Sequence, residues 1–276
     1  MEFVFKRSYR GPLKGVILDW AGTTLDYGCM APAVVFVEVY KRSGVDITMD
    51  QAREPMGAHK RVHIQKISQI DAVRRRWEEV HGRPPAESDI DEMFKMFVPL
   101  QLDCLAQYAD LIPGTLEALK DFRARGLKIG STTGYTDEMM DLLMREAAQR
   151  GYVPDATVCA TEVPAGRPEP WMCLVNAMRL RIYPMESMVK VGDTLPDIYE
   201  GLNAGMWTIG LAVTGNEVGL PEAEVQVMDP EVRERKRARA YERMAQAGAH
   251  YVVDGIWDVP AILDEINARL ARGERP

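Results

Sequence analysis

The stretch Gly15-Val16-Ile17-Leu18-Asp19-Trp20-Ala21-Gly22-Thr23-Thr24 constrains this chain more than any other. Largely apolar residues rich in β-branching run into a single carboxylate, and a turn of small residues follows. That pattern predicts a buried parallel strand that stops at Asp19 and enters a tight loop. In an open α/β sheet, ligands sit off the carboxyl ends of the strands, so Asp19 is delivered to the place where such folds do chemistry. Amides of a Gly22-Thr23 loop suit phosphoryl oxygens, and an aspartate can form an aspartyl phosphate. On this segment alone a plainer reading stays open, an aspartate that caps the next helix.

The rest of the chain sets the architecture. At 276 residues it is long for one domain, so one large domain or a core carrying an insertion is expected. After Asp19 a helix starts at Pro32 and ends near Gly44. From Thr48 to Leu105 the apolar spacing stays helical, with segments at 59–81 and 88–107 separated by Gly82-Arg83-Pro84-Pro85. Strand–helix alternation then resumes, with strands at 127–133, 155–160, 188–193 and 206–211 and a short edge strand at Tyr251-Val252-Val253. The expected fold is α/β, a doubly wound parallel sheet with an inserted helical block. Residues 1–26 and 108–276 form the core, and 27–107 the insertion.

Composition narrows the function classes. A net charge of −7 does not favour nucleic acid or an anionic membrane as partner. The basic run Arg233–Arg239 is flanked by acids and reads as a solvated helix face. Cys29, Cys104, Cys159 and Cys173 form no C-x-x-C pair. The opening Met1–Arg7 has no apolar export core, and no run of about 18 apolar residues exists. A reduced, cytoplasmic protein is expected.

Four strand ends carry polar groups: Asp19, Ser131–Thr133, Thr161 with the Arg167 loop, and Asp193. Asp19 and Asp193 could share Mg²⁺ through hard oxygens. Thr133 and Arg167 could hold phosphoryl oxygens. Each has a bland alternative, Arg167 as a surface ion pair and Thr133 as a helix cap; their joint spacing raises the functional reading.

With these residues in view, the chain resembles the haloacid dehalogenase superfamily, whose helical cap the insertion would be. Several blocks resemble one branch of it, the phosphonoacetaldehyde hydrolase (phosphonatase) family. They are Asp19–Cys29, Pro55-Met56-Gly57 with Lys60, Gly130–Thr136, Val163–Pro168 and Gly205–Thr208. The resemblance implies hydrolysis of phosphonoacetaldehyde to acetaldehyde and phosphate, with Mg²⁺, by a homodimer joined through the cap. It implies Asp19 as nucleophile and metal ligand, the Ala21 carbonyl and Asp193 as further ligands, and Asp197 in support. Gly22, Thr133 and Arg167 would bind the phosphonate, and Cys29, Met56 and Tyr135 would line the aldehyde pocket. Arg167 stands where most members have Lys. Phosphatases of the superfamily carry an acid two residues after the nucleophile; here Ala21 has no proton to give. A C–P bond leaves no oxygen to protonate but needs an electron sink, and Lys60 would supply it as an imine, with His63 on the same helical face assisting proton transfer. Two rival readings are a phosphatase or phosphomutase acting on a sugar phosphate, and a non-catalytic binding protein. The base for aspartyl-phosphate hydrolysis is not evident.

Overall fold

The computed structural model describes residues 8–276; Met1–Arg7, read above for an export signal, lie outside the described residues. In chain order the elements are β1 (Gly15–Leu18), α1 (Met30–Arg42), α2 (Met49–Arg53), α3 (Lys60–Gln69), α4 (Asp71–His81), α5 (Glu87–Leu105) and α6 (Thr115–Ala124). There follow β2 (Lys128–Thr133), α7 (Asp137–Gln149), β3 (Ala156–Cys159), α8 (Trp171–Leu180), β4 (Met188–Gly192), α9 (Leu195–Asn203) and β5 (Trp207–Leu211). The chain closes with α10 (Glu222–Val227), α11 (Pro230–Gln246), β6 (Tyr251–Val253) and α12 (Val259–Ala271).

The sheet is parallel throughout, in the order β3-β2-β1-β4-β5-β6. The strands it places at the centre are the buried runs of Val, Ile and Leu, as a sheet covered on both faces requires. Leu18 pairs with Ser131 on one side and Val191 on the other, so the carboxyl ends of β1, β2 and β4 meet at one edge. The topology reverses beside β1, and Asp19 sits at that switch point.

Helices α1–α5 interrupt the alternation between β1 and β2. The two connecting segments run side by side: Leu25 bridges Leu111 antiparallel, and Asp26 N–H donates to the Asp110 carbonyl at 3.1 Å. One apolar cluster joins the insertion (Phe36, Tyr40, Phe97) to the sheet (Val16, Leu18, Val191).

Two expectations need correction, and one element is new. Helix α1 begins at Met30, not Pro32, because the Asp26 carboxylate accepts the amides of Met30 and Ala31, both at 2.9 Å. The segment 59–81 is two helices, broken where Ile70 turns extended (φ −62°, ψ 123°). Helix α10 was not anticipated. The charged helix α11 buries only Ala240 and Met244, as a solvated face should, and all four cysteines are free thiols. No helix among the described residues is long and apolar enough to cross a membrane.

Candidate active site

Strand β1 delivers Asp19 almost fully buried, at 6 % exposure. Its Oδ1 accepts from Arg167 Nη2 at 2.6 Å. The loop after it is compressed against Asp193. Gly22 has φ +86°, and a Cβ there would lie 2.3 Å from Asp193 Oδ2, so only glycine fits. Its amide, expected to face a phosphoryl group, donates to the Leu25 carbonyl at 2.8 Å, and Thr23 N–H donates to Trp20 at 3.1 Å. The tight turn consumes both donors internally. Within the loop after β1, the Trp20 and Ala21 amides donate to no acceptor among the described residues.

Asp19, Asp193 and Asp197 bring carboxylate oxygens within 4.8 Å of one another, all buried. Burial pushes the Asp19 carboxyl up despite Arg167, and pushes Asp193 well above the usual range, with Asp19 and Asp197 adding to it. Asp193 is oriented by Thr23 Oγ1 (3.1 Å) and the Asn216 amide (2.8 Å). Crowded, desolvated, oxygen-only donors of this kind suit a hard divalent cation. Asp197 differs. Burial raises its carboxyl, but Arg167 and Lys190 outweigh burial and hold it below its ordinary value.

Helix α3 supplies the opposite wall. Lys60 is 5 % exposed, its Nζ 4.6 Å from the Tyr135 ring centroid and 5.8 Å from that of Phe36. Burial lowers its amine to about 8. Asp19, Ala21, Cys29, Met56, Lys60, Thr133, Tyr135 and Arg167 all line one cavity of about 20 Å³. That is room for roughly one water molecule. The seam is tight because of Gly57 (φ +91°), where a Cβ would lie 2.4 Å from Thr194 Oγ1. Gly22, His63 and Asp193 stand behind this lining. His63 is wholly buried and stacked on Phe36 (centroids 3.8 Å apart), with Nε2 2.8 Å from the Ala52 carbonyl. The carbonyl can only accept, so Nε2 carries the proton and Nδ1 is bare. Burial, then Lys60, pushes its pKa well down, so the ring is neutral.

A haloacid dehalogenase-like hydrolase family model matches residues 13–205. The chain is 54 % identical over 275 residues to a phosphonoacetaldehyde hydrolase-like protein of Syntrophobacter fumaroxidans, covering 99 % of both. It is 50 % identical to a phosphonoacetaldehyde hydrolase of Nitratidesulfovibrio vulgaris, covering 99 % of this chain and 98 % of that one. The chain belongs to the phosphonoacetaldehyde hydrolase family. A solved structure of a phosphonoacetaldehyde hydrolase-like protein from Oleispira antarctica superposes with TM-score 0.97 at 40 % identity, covering 100 % of both chains. Membership makes the chain an enzyme, a hydrolase on a haloacid dehalogenase core.

Within this family site, sequence reasoning missed a buried ion network. Lys190 Nζ lies 2.9 Å from Asp197 and 3.1 Å from Glu200, and donates to Thr132 Oγ1 at 2.6 Å. Glu200 also accepts from Arg167 Nε at 3.0 Å. Arg167 is thereby held on one edge while Nη2 points at Asp19. A signal for this was present: Lys190 interrupts an otherwise apolar buried strand, and a buried ammonium requires carboxylate partners.

Proposed function

We propose that the chain hydrolyses the C–P bond of phosphonoacetaldehyde to acetaldehyde and phosphate. Relatives near half identity that are named for this activity support the reading. The observation that carries it is the buried Lys60 amine sharing one cavity with Asp19, where Ala21 replaces an acid. In this reading, the Lys60 amine adds to the aldehyde and water leaves, giving an imine. Asp19 attacks phosphorus in line. The C–P electron pair flows into the protonated imine, leaving an enamine on Lys60 and an acyl phosphate on Asp19. Protonation of the enamine carbon and hydrolysis release acetaldehyde and the free amine; a second water releases phosphate. Arg167 and Thr133 hold phosphonate oxygens, with the Trp20 and Ala21 amides. His63, wholly buried behind the lining with its one proton on the Ala52 carbonyl, supports the wall beside Lys60 through the Phe36 ring it stacks on, and does not move a proton through the cavity.

Asp19, Asp193 and the Ala21 carbonyl would hold Mg²⁺, with Asp197 in support. When bound, it offsets the repulsion between carboxylate and phosphonate. Residues 27–107 act as a cap on a core of 1–26 and 108–276, excluding water when closed. The protein works as a cytoplasmic homodimer joined through that cap.

The test is borohydride reduction in the presence of phosphonoacetaldehyde. Irreversible inactivation should require substrate, and the added mass should map to the Lys60 peptide. Lys60→Arg should lose turnover. Full turnover in Lys60→Arg sinks the imine. Efficient release of phosphate from sugar phosphates would favour the phosphatase reading instead.

A further inference from the structure

The helical insertion is fastened to the core by a buried side chain that the chemistry above does not use. Arg53 ends α2 and is only 7 % exposed. Its donors go to neutral acceptors. Nη1 donates to the carbonyls of Gly28 (2.7 Å) and Cys29 (3.2 Å), on the segment entering α1, and to Asn216 Oδ1 at 3.4 Å. Asn216 returns a bond from Nδ2 to the Arg53 carbonyl at 3.2 Å. Asn216 belongs to the core loop after β5, and its amide is the donor to Asp193 Oδ2 at 2.8 Å. Gly219 closes over the guanidinium; with φ +67°, a Cβ there would lie 2.9 Å from Arg53 Nε. A desolvated guanidinium held by carbonyls is stable only while those donors stay satisfied, so the Gly28 and Cys29 bonds fix α2 against the segment entering α1, and the two Asn216 bonds tie that unit to the core loop.

Helix α2 leads directly to Met56 and Gly57, which line the cavity, and then to Lys60. We infer that Arg53 and Asn216 form a clasp that positions the Met56–Lys60 turn over Asp19, across the seam between insertion and core. The inference rests on the imine reading of Lys60. Imine formation needs only Lys60 and the aldehyde. C–P cleavage needs the imine and Asp19 in register from two different parts of the molecule. Loosening the clasp should therefore separate the two steps. A misplacement of about 1 Å at a reacting centre costs on the order of a hundredfold in rate.

The experiment compares Asn216→Ala and Arg53→Lys with the unsubstituted protein. Both variants are expected to release acetaldehyde roughly ten- to hundredfold more slowly. Borohydride trapping of phosphonoacetaldehyde on Lys60 should still reach the unsubstituted extent. Arg53→Lys keeps the charge and loses the fork, so its loss assigns the effect to the hydrogen bonds. Unchanged turnover in Asn216→Ala overturns the clasp. So does a parallel loss of turnover and trapping, which marks a structural role alone. If the unsubstituted protein traps no adduct, the imine reading fails by itself; the clasp is then overturned unless turnover still falls in Asn216→Ala.

Discussion

At the scale of single residues, the site holds an amine where the fold would be more stable without one. Burial lowers Lys60 from 10.5 to about 8. At pH 7 about one tenth of the amine is then free base, against about one part in three thousand for an ordinary lysine. That gain in nucleophile has a cost in stability. Between the folded and unfolded values the unfolded chain binds more protons, so stability rises with pH across that window. Below about 8 the buried ammonium weakens the fold in full; near 10.5 its penalty is gone. Lys60→Met should therefore abolish turnover yet stabilise the protein by about 1–3 kcal/mol at pH 7. The difference should shrink as pH rises from about 8 towards 10.5, as followed by denaturant titration. A variant less stable than the parent at pH 7 would show that Lys60 is paired rather than strained.

Individual elements were legible to different depths. Strands β1 and β5 stood out as short, largely apolar runs bounded by turns, and β2 by its hydroxyl-rich end, because a parallel sheet buries both its faces and collects polar groups only at its carboxyl edge. Lys60 and Met56 could be tied to the site only by resemblance, because spacing along a helix says nothing about which strand end the helix will cover. The start of α1 was misplaced for a related reason. Pro32 is a local signal, whereas the residue that satisfies the first amides is Asp26, in the connecting segment. The chain bends between them at Asp26, Gly28 and Cys29, all with positive φ; Gly28 signals a turn, but nothing in the sequence says that the turn folds the Asp26 carboxylate back onto α1. Asp26 caps α1 where the insertion leaves the core, but burial raises its carboxyl to about 7, so Asp26→Ala should cost about 1–2 kcal/mol of stability near pH 4 and less as pH rises towards 7, where the buried charge offsets the cap. Equilibrium unfolding measures it directly. An unchanged midpoint and slope would mean that water replaces the carboxylate without loss.

Across the whole molecule, the site exists only because distant parts of the chain converge. Asp19 comes from β1, Lys60 from α3, Thr133 from β2, Arg167 from the loop before α8, and Asp193 from the end of β4. The carboxylates at strand ends could be foreseen, since a parallel sheet gathers those ends at one edge. The pairing of Lys190 with Glu200 could not, because partner choice between a strand and a neighbouring helix depends on packing. Among the three clustered carboxylates, Asp197 is neutralised by Lys190 and Arg167, while Asp19 and Asp193 remain crowded and raised. A cation shared by those two relieves that crowding only in the folded protein, since the unfolded chain does not hold them together. Mg²⁺ should therefore stabilise the fold as well as support turnover. At a concentration one hundred times its dissociation constant the linkage is about 2.7 kcal/mol, or roughly 5–10 °C in Tm. EDTA should reverse the shift. Asp193→Asn removes one of the crowded charges, so this variant should melt higher than the parent in EDTA and gain little from Mg²⁺. An equal Mg²⁺ response in parent and variant would place the ion elsewhere on the molecule.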